Sequence, residues 1–334
     1  MCMNLAYAHF RAILKGRAMR AFVVGWVLVP IWLASLATNA RADQDGVPFW
    51  FSGSYASLAA VPVSPGWSLV TEPYYYSGSA GKSKIFQNGD TLVAGVKTDE
   101  PLLLFQPGYA SDGKILGGQP NLGLGWGFGN NYTAVDVTLS RPDVGRSDSL
   151  TAGTDLYPIA SLAWANGNDN WMTYVTGDIP TGAYQKSRLA NLGIGHSAID
   201  AGGGYTYLNE KTGVEFSGVL GLTYNWENTN TDYKNGNDSH LDWAVSQFLS
   251  ANWELGVVGY VYYQLTGDSG SGDRVGAFKS RIASVGPEVG YVFQLGGQPA
   301  YFNLRGYCEF WAQNRVEGYA LYATLSIPLG SASK

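Results

Sequence analysis

Cysteine is almost missing from this 334-residue chain, which holds two, Cys2 and Cys308. Cys2 falls in a leader described below, so Cys308 stands alone in the remainder and no intramolecular disulfide is open to it. Histidine is nearly as scarce, and only His196 and His240 lie beyond the leader. A zinc site of the His/Cys type needs more ligands at recognised spacings, so neither a metal nor any other cofactor is expected. Charged residues make up 14% of the chain, and beyond the leader the acidic ones outnumber the basic ones. A phosphate-binding surface needs clustered Lys and Arg, so nucleic acid is excluded as a partner. Past residue 40 no apolar run reaches about 18 residues, which excludes a helical membrane span.

What is present begins with an export signal. Arg11, Lys15, Arg17 and Arg20 form a positive n-region, residues 21–37 an apolar stretch, and Ala40-Arg41-Ala42 an A-x-A cleavage signal. Residues 1–42 read as a cleaved signal peptide, the mature chain starting near Asp43, and Met19 is an alternative start. The leader carries five of the 21 basic residues and none of the 26 acidic ones, so the mature chain is strongly acidic.

The rest alternates with period two. Across 214–226, Val214, Phe216, Leu220, Leu222, Tyr224 and Trp226 share one face, with Glu215, Ser217, Thr223 and Asn225 opposite. Residues 253–265 and 319–329 repeat the pattern. Successive side chains on a strand point to opposite sides of the pleat, so each segment is a strand with one apolar face. A soluble sandwich with a wet face gives the same alternation. Three features favour a membrane barrel. The segments run about 10–14 residues, against about 5–6 for soluble strands. Aromatics such as Trp126, Phe128, Trp164, Trp171, Trp226 and Trp253 sit at strand ends, as in interfacial girdles. Links alternate between short (129–131, 166–170, 209–213, 250–252, 296–298) and long (141–153, 180–195, 227–237, 266–279).

The expected fold is therefore all-β, a transmembrane antiparallel up-and-down β-barrel over residues 66–329, followed by a short tail, 330–334. About fourteen strands are counted. The weak stretch is 80–115, where Pro101 and Pro107 interrupt the pattern, and twelve strands result if one hairpin there does not span. Residues 43–65 read either as a small plug inside the barrel or as a periplasmic extension against its rim.

Charges facing lipid are costly, so the phase that carries them must be the inside. That assignment makes Asp136, Asp200, Glu215, Asp242, Glu254, Glu288, Asn303, Arg305 and Glu309 lumen-lining candidates, joined by Tyr260, Tyr262 and Tyr307. Tyr301, Tyr322 and Trp311 fall in the same phase, and Gly221, Gly256, Gly286 and Gly290 leave free space beside them. Arg305 and Glu309, four apart on one strand, are expected to form an ion-pair network with Glu254 or Glu288. Such a network either stiffens the barrel or guides a permeant.

Catalysis finds little support. Ser197 adjoins His196 and Ser239 adjoins His240, but neighbours on a strand point to opposite faces. A Ser or Asp reaching either histidine from another strand would signal an outer-membrane enzyme acting on lipid. The loops around Asn228–Asp238 and Gly267–Asp273 are rich in oxygen ligands but lack the closing Glu of an EF-hand.

Long phrases of the chain resemble one family. They include GVPFWFSGSYASLAAVPVSPGWSL, TDLYPIASLAW, NWMTYVTGDIPTGAY, SRLANLGIGHSAIDAGGGYTYLN, GLTYNWENTNTDYKNGNDSHLDWAVSQFLS, GDSGSGDRVGAFKSRIASVGPEVGYVF and YCEFWAQNRVEGYALYATLSIPL. From about residue 46 onward these resemble the family named "putative MetA-pathway of phenol degradation", grouped with outer-membrane β-barrels and linked to aromatic breakdown. The resemblance implies uptake of small aromatic compounds and supplies no site residues; with the barrel pattern, the expected function is a non-enzymatic channel for passive uptake of small hydrophobic or aromatic compounds. Outer-membrane lipid and such compounds are the expected partners, and a monomer in the outer membrane the expected form. A structural or adhesive surface barrel is the competing class.

Overall fold

A computed structural model describes residues 48–81, 85–88, 91–138, 145–274, 276–277 and 279–330. The expected signal peptide, residues 1–42, lies outside that range, as do residues 43–47 and the last four. Fourteen strands are present: β1 (Gly66–Ser79), β2 (Ile85–Asn88), β3 (Thr91–Ala110), β4 (Gln119–Thr138), β5 (Arg146–Gly153), β6 (Tyr157–Asn166), β7 (Asp169–Asp178), β8 (Ala198–Asn209), β9 (Val214–Asn225), β10 (Asp238–Phe248), β11 (Trp253–Gln264), β12 (Arg281–Leu295), β13 (Gln298–Gln313) and β14 (Glu317–Pro328).

Twelve of them close a barrel. The order runs β3-β1-β14-β13-β12-β11-β10-β9-β8-β7-β6-β4, and β3 pairs with β4 to complete the ring, all antiparallel. Among the described residues, β2 is bonded only to β3 and β5 only to β4. The fourteen spanning strands expected from the sequence are thus twelve, the alternative count. The prolines do not cut β3, because its pairing with β1 is continuous from Lys97 to Ala110. Its pairing with β4 lapses at Glu100–Pro101 and again at Gln106–Pro107. Proline has no N–H to give a ladder, so both are accommodated by skipping bonds on one side of the strand. Likewise 129–131 is not a turn but the middle of β4.

The faces sort as the pleat demands. On β9, Leu220 and Leu222 are 58% and 59% exposed, whereas Glu215, on the opposite face of the strand, is 0% exposed. The same inversion, apolar out and polar in, recurs on β11, where Leu255 and Val257 are exposed and Glu254 is buried. An outside of this kind is stable against hydrocarbon and not against water. Aromatic pairs ring the strand ends next to the short turns: Trp67–Tyr109 at 5.3 Å, Trp171–Tyr205 at 6.1 Å and Trp253–Tyr291 at 4.7 Å between ring centroids.

One sector of the wall is incomplete. The lower half of β4, Gln119–Gly125, pairs with β6, while its upper half, Phe128–Val135, pairs with β5. Since β5 has no second partner, loop 179–197 covers the space beyond it. Asp155 holds that loop at both ends, its Oδ1 accepting from Gly182 N at 2.6 Å and its Oδ2 from Ile194 N at 2.8 Å. Arg188 Nη2 lies 2.7 Å from Asp148 on β5.

Close backbone approach favours glycine at several points of the ring, Gly286 among them. A Cβ on Gly286 of β12 would fall 1.7 Å from the carbonyl oxygen of Gly306 on β13. Gly286→Ala is expected to lose at least about 1–3 kcal/mol, the usual cost of overpacking. A lower urea midpoint and a smaller fraction of SDS-resistant barrel before boiling would register it; an unchanged midpoint would show that the strands yield.

Candidate functional site

The site is assembled from the barrel's inner face and the segment preceding β1. Residues 48–63 form no ladder, so their backbone N–H and C=O groups need other partners. Lumen side chains supply them. Asp242 accepts from Gly53 N at 2.9 Å and Tyr55 N at 3.2 Å. Glu215 accepts from Leu58 N at 3.0 Å, and Ser57 Oγ lies 3.0 Å from Glu215 and 2.5 Å from Glu288. Thr206 Oγ1 accepts from Ala60 N at 3.0 Å, and Gln119 Nε2 donates to Val63 O at 2.9 Å near the short-turn end. Gly53 has φ +85°, and a Cβ there would meet the Tyr307 ring at 2.8 Å, so only glycine lets the backbone pass.

Arg305 is the other grip. Its Nε donates to Gly53 O at 3.1 Å, its Nη2 to Ser54 O at 3.2 Å and Glu72 Oε2 at 3.0 Å, and its Nη1 to Thr324 Oγ1 at 2.5 Å. Tyr307 and Tyr322 hydroxyls donate to Gly53 O and Ser52 O at 3.1 and 2.8 Å. The ion pair of Arg305 is therefore with Glu72 on β1, and not with Glu309, Glu254 or Glu288. Glu288 stands directly opposite Arg305 in the β12–β13 register but bonds Asn303 Nδ2 (3.1 Å) and Ser57. Glu254 accepts from Tyr301 OH at 2.9 Å. Glu309 accepts from Tyr76 OH (2.8 Å), Tyr260 OH (2.7 Å) and Gly318 N (2.8 Å). The network is built mostly of tyrosines and carboxylates, because the intervening hydroxyls separate like charges that would otherwise repel.

Asp200 and His240 make a second buried group. His240 Nε2 lies 3.2 Å from Asp200 Oδ2, Tyr174 OH is 2.7 Å from Asp200 Oδ1, and Thr223 Oγ1 donates to Asp200 at 2.6 Å. Trp50 lies flat on the His240 ring, 3.6 Å between centroids and 13° between planes. In loop 179–197, burial pushes the His196 imidazole below its ordinary pKa, and its Nε2 sits 3.3 Å from Asn235 Nδ2.

Two candidates change place. Asp136 is exposed, on the outer face of β4 opposite Thr133 and Val135. The break assumed at 129–131 hid the continuous phase of that strand, which puts even-numbered residues outside. Trp311 is 49% exposed with φ +63°, at a register shift between β12 and β13 that turns it outward over Arg281. The other candidates, Asp200, Glu215, Asp242, Glu254, Tyr260, Tyr262, Glu288, Asn303, Arg305, Tyr307 and Glu309, all have buried side chains. Sequence reasoning missed Glu72, although it shares the phase of Tyr74 and Tyr76 on β1. It also missed Glu100 and Arg315, which lie beside a proline and in an outer turn.

Beside the segment's first residues is a cavity of about 130 Å³. Phe49, Phe51, Tyr74, Tyr157 and Ile194 supply its apolar wall, and Thr98, Glu100, Asn131, Thr133 and Arg315 its polar one. Phe51 meets Tyr74 and Tyr157 edge-on, each at 5.9 Å. Across loop 179–197, on the lipid side, Leu122, Ile159, Val175, Ile199 and Trp226 line an open groove.

The family model described as "Putative MetA-pathway of phenol degradation" matches residues 81–325. The chain is similar to the COG4313 outer membrane channel from Pseudomonas putida F1, with 12% identity and a TM-score of 0.62 over 79% of this chain and 96% of that one. It also aligns with the translocator domain of autotransporter NalP from Neisseria meningitidis, at 10% identity and a TM-score of 0.46 over 81% and 91% of the two chains. No curated protein matches. The first of these likenesses shows the fold, that of an outer-membrane β-barrel.

Proposed function

The chain belongs to the "Putative MetA-pathway of phenol degradation" family, and from that premise we propose that it is a monomeric outer-membrane channel for passive uptake of small hydrophobic or aromatic compounds. The observation that carries the reading is the lumen cavity of about 130 Å³ walled by Phe49, Phe51, Tyr74 and Tyr157. An apolar cavity of roughly 150 Å³ admits a benzene ring, and aromatic faces hold rings edge-on or offset. The barrel around it is closed and its outside is apolar. Residues 48–63 act as a plug in the axial path. The sector closed by loop 179–197 offers a way into lipid that leaves the plug in place.

The protein has no catalytic role in this reading. His240 does have an aspartate within reach, the feature that would favour an enzyme. Its other polar neighbour is Tyr174, however, no serine bonds it among the described residues, and Trp50 covers its ring. The family name adds to the channel reading through its reference to phenol breakdown.

The test is uptake of a monocyclic aromatic tracer into asymmetric vesicles whose outer leaflet is lipopolysaccharide, because such compounds cross phospholipid unaided. Reconstituted protein is expected to speed entry at least severalfold. Equal rates with and without protein would overturn the channel reading and favour a structural barrel.

A further inference from the structure

The polar wall of the cavity is not satisfied by the protein. Arg315, in the turn between β13 and β14, is 7% exposed and lies 5.0 Å over the Tyr262 ring. Its Nε and Nη1 have no hydrogen-bond partner among the described residues. A buried guanidinium N–H without an acceptor costs far more than an exposed one. Glu100, the cross-strand neighbour of Tyr76, lines the same cavity, and none of the hydrogen bonds among the described residues reaches its carboxyl. Asn88 Oδ1, a third lining group, is buried and unpartnered as well. Glu309 is different, since Tyr76, Tyr260 and Gly318 already occupy its oxygens.

The open groups are thus of both senses, donors on Arg315 and acceptors on Glu100 and Asn88, beside an apolar wall sized for one ring. A plain hydrocarbon would leave both kinds bare. A carboxylate would satisfy Arg315 but face Glu100 and Glu309. An ammonium would satisfy Glu100 but face Arg315. A hydroxyl donates once and accepts at the same oxygen, so it answers both.

We propose that this cavity is a binding site for a single uncharged ring bearing a hydroxyl, with Arg315 donating to the hydroxyl oxygen and Glu100 or Asn88 accepting its proton. Arg315 is then the residue that sets preference for hydroxylated rings over plain and carboxylated ones. The inference deepens the channel reading by naming the ligand class and depends on it only for the ligand's reaching the lumen.

The experiment is equilibrium binding of phenol, toluene and benzoate to the full chain in detergent, followed by calorimetry or ligand-observed NMR, with folding checked by the shift of the unboiled barrel in SDS gels. The unaltered protein should bind phenol about tenfold tighter than toluene or benzoate, the ratio of one hydrogen bond to a charged group. Arg315→Met should abolish that preference while toluene affinity stays within about twofold. Arg315→Lys, which keeps the charge and a donor, should retain part of it and guards against a misfolded Met variant. Equal affinity for phenol and toluene in the unaltered protein, or a preference that survives Arg315→Met, would overturn the proposal. Vesicle uptake of the tracer would stand or fall separately, so failure here leaves the channel reading intact and failure there does not touch the binding ratio.

Discussion

Removing residues 48–62 is expected to turn a barrel that is nearly silent in a planar bilayer into one that conducts ions steadily, with at least a tenfold rise in mean current. Between eight strands, where side chains fill the interior, and sixteen, where an aqueous channel remains, a twelve-stranded ring has room that something must fill. Here the segment fills it, and its backbone is held by Asp242, Glu215, Thr206 and Arg305. The ring itself should survive, because each of its twelve strands is hydrogen-bonded to a neighbour on both sides along at least part of its length, and the freed carboxylates gain water. Asp242→Asn with Glu215→Gln tests the same idea without deletion. Each neutral amide replaces a charge-assisted acceptor, at roughly 1–2 kcal/mol, so each substitution should raise the open fraction about tenfold. Deletion that leaves conductance unchanged in a folded barrel would show that the path is blocked elsewhere.

Arg305→Met should be the most destabilising single change at the site, about 3–5 kcal/mol from urea unfolding in detergent. Arg305 is 3% exposed at its side chain and Glu72 14%, so water screens their pair little. Truncation leaves the Glu72 carboxylate without its cation and the carbonyls of Gly53 and Ser54 without donors. Arg305→Lys should recover only part, since one ammonium cannot span acceptors on β1, β14 and residues 53–54 together. The discriminating measurement is the double variant Glu72→Gln with Arg305→Met. It should be more stable than Arg305→Met alone, because no unpaired charge remains. If the double variant is worse than either single change by their full sum, the pair is not coupled and the destabilisation has another source.

The alternation of β9, β11 and β14 was legible at once, because a strand has one period and these segments have no interior proline and no bulge. From it came the barrel, the apolar outside and most of the buried lumen candidates. Legibility failed where the backbone departs from that period. Pro101 and Pro107 suggested two strands in place of β3, an Asn-Asn pair suggested a turn inside β4, and the positive φ of Trp311 reversed its side.

Sequence alone determined, through the period of its polarity, which side of each strand meets lipid and which meets the interior. The tertiary structure decided who meets whom across the lumen. Arg305 chose Glu72 over the nearer-numbered acids, and residues 48–63 came to rest against carboxylates more than 140 positions away in the chain. The physical reason is that pleat direction is a local property, whereas partners across a barrel depend on closure, register and the room left at the centre, and no stretch of sequence carries those by itself.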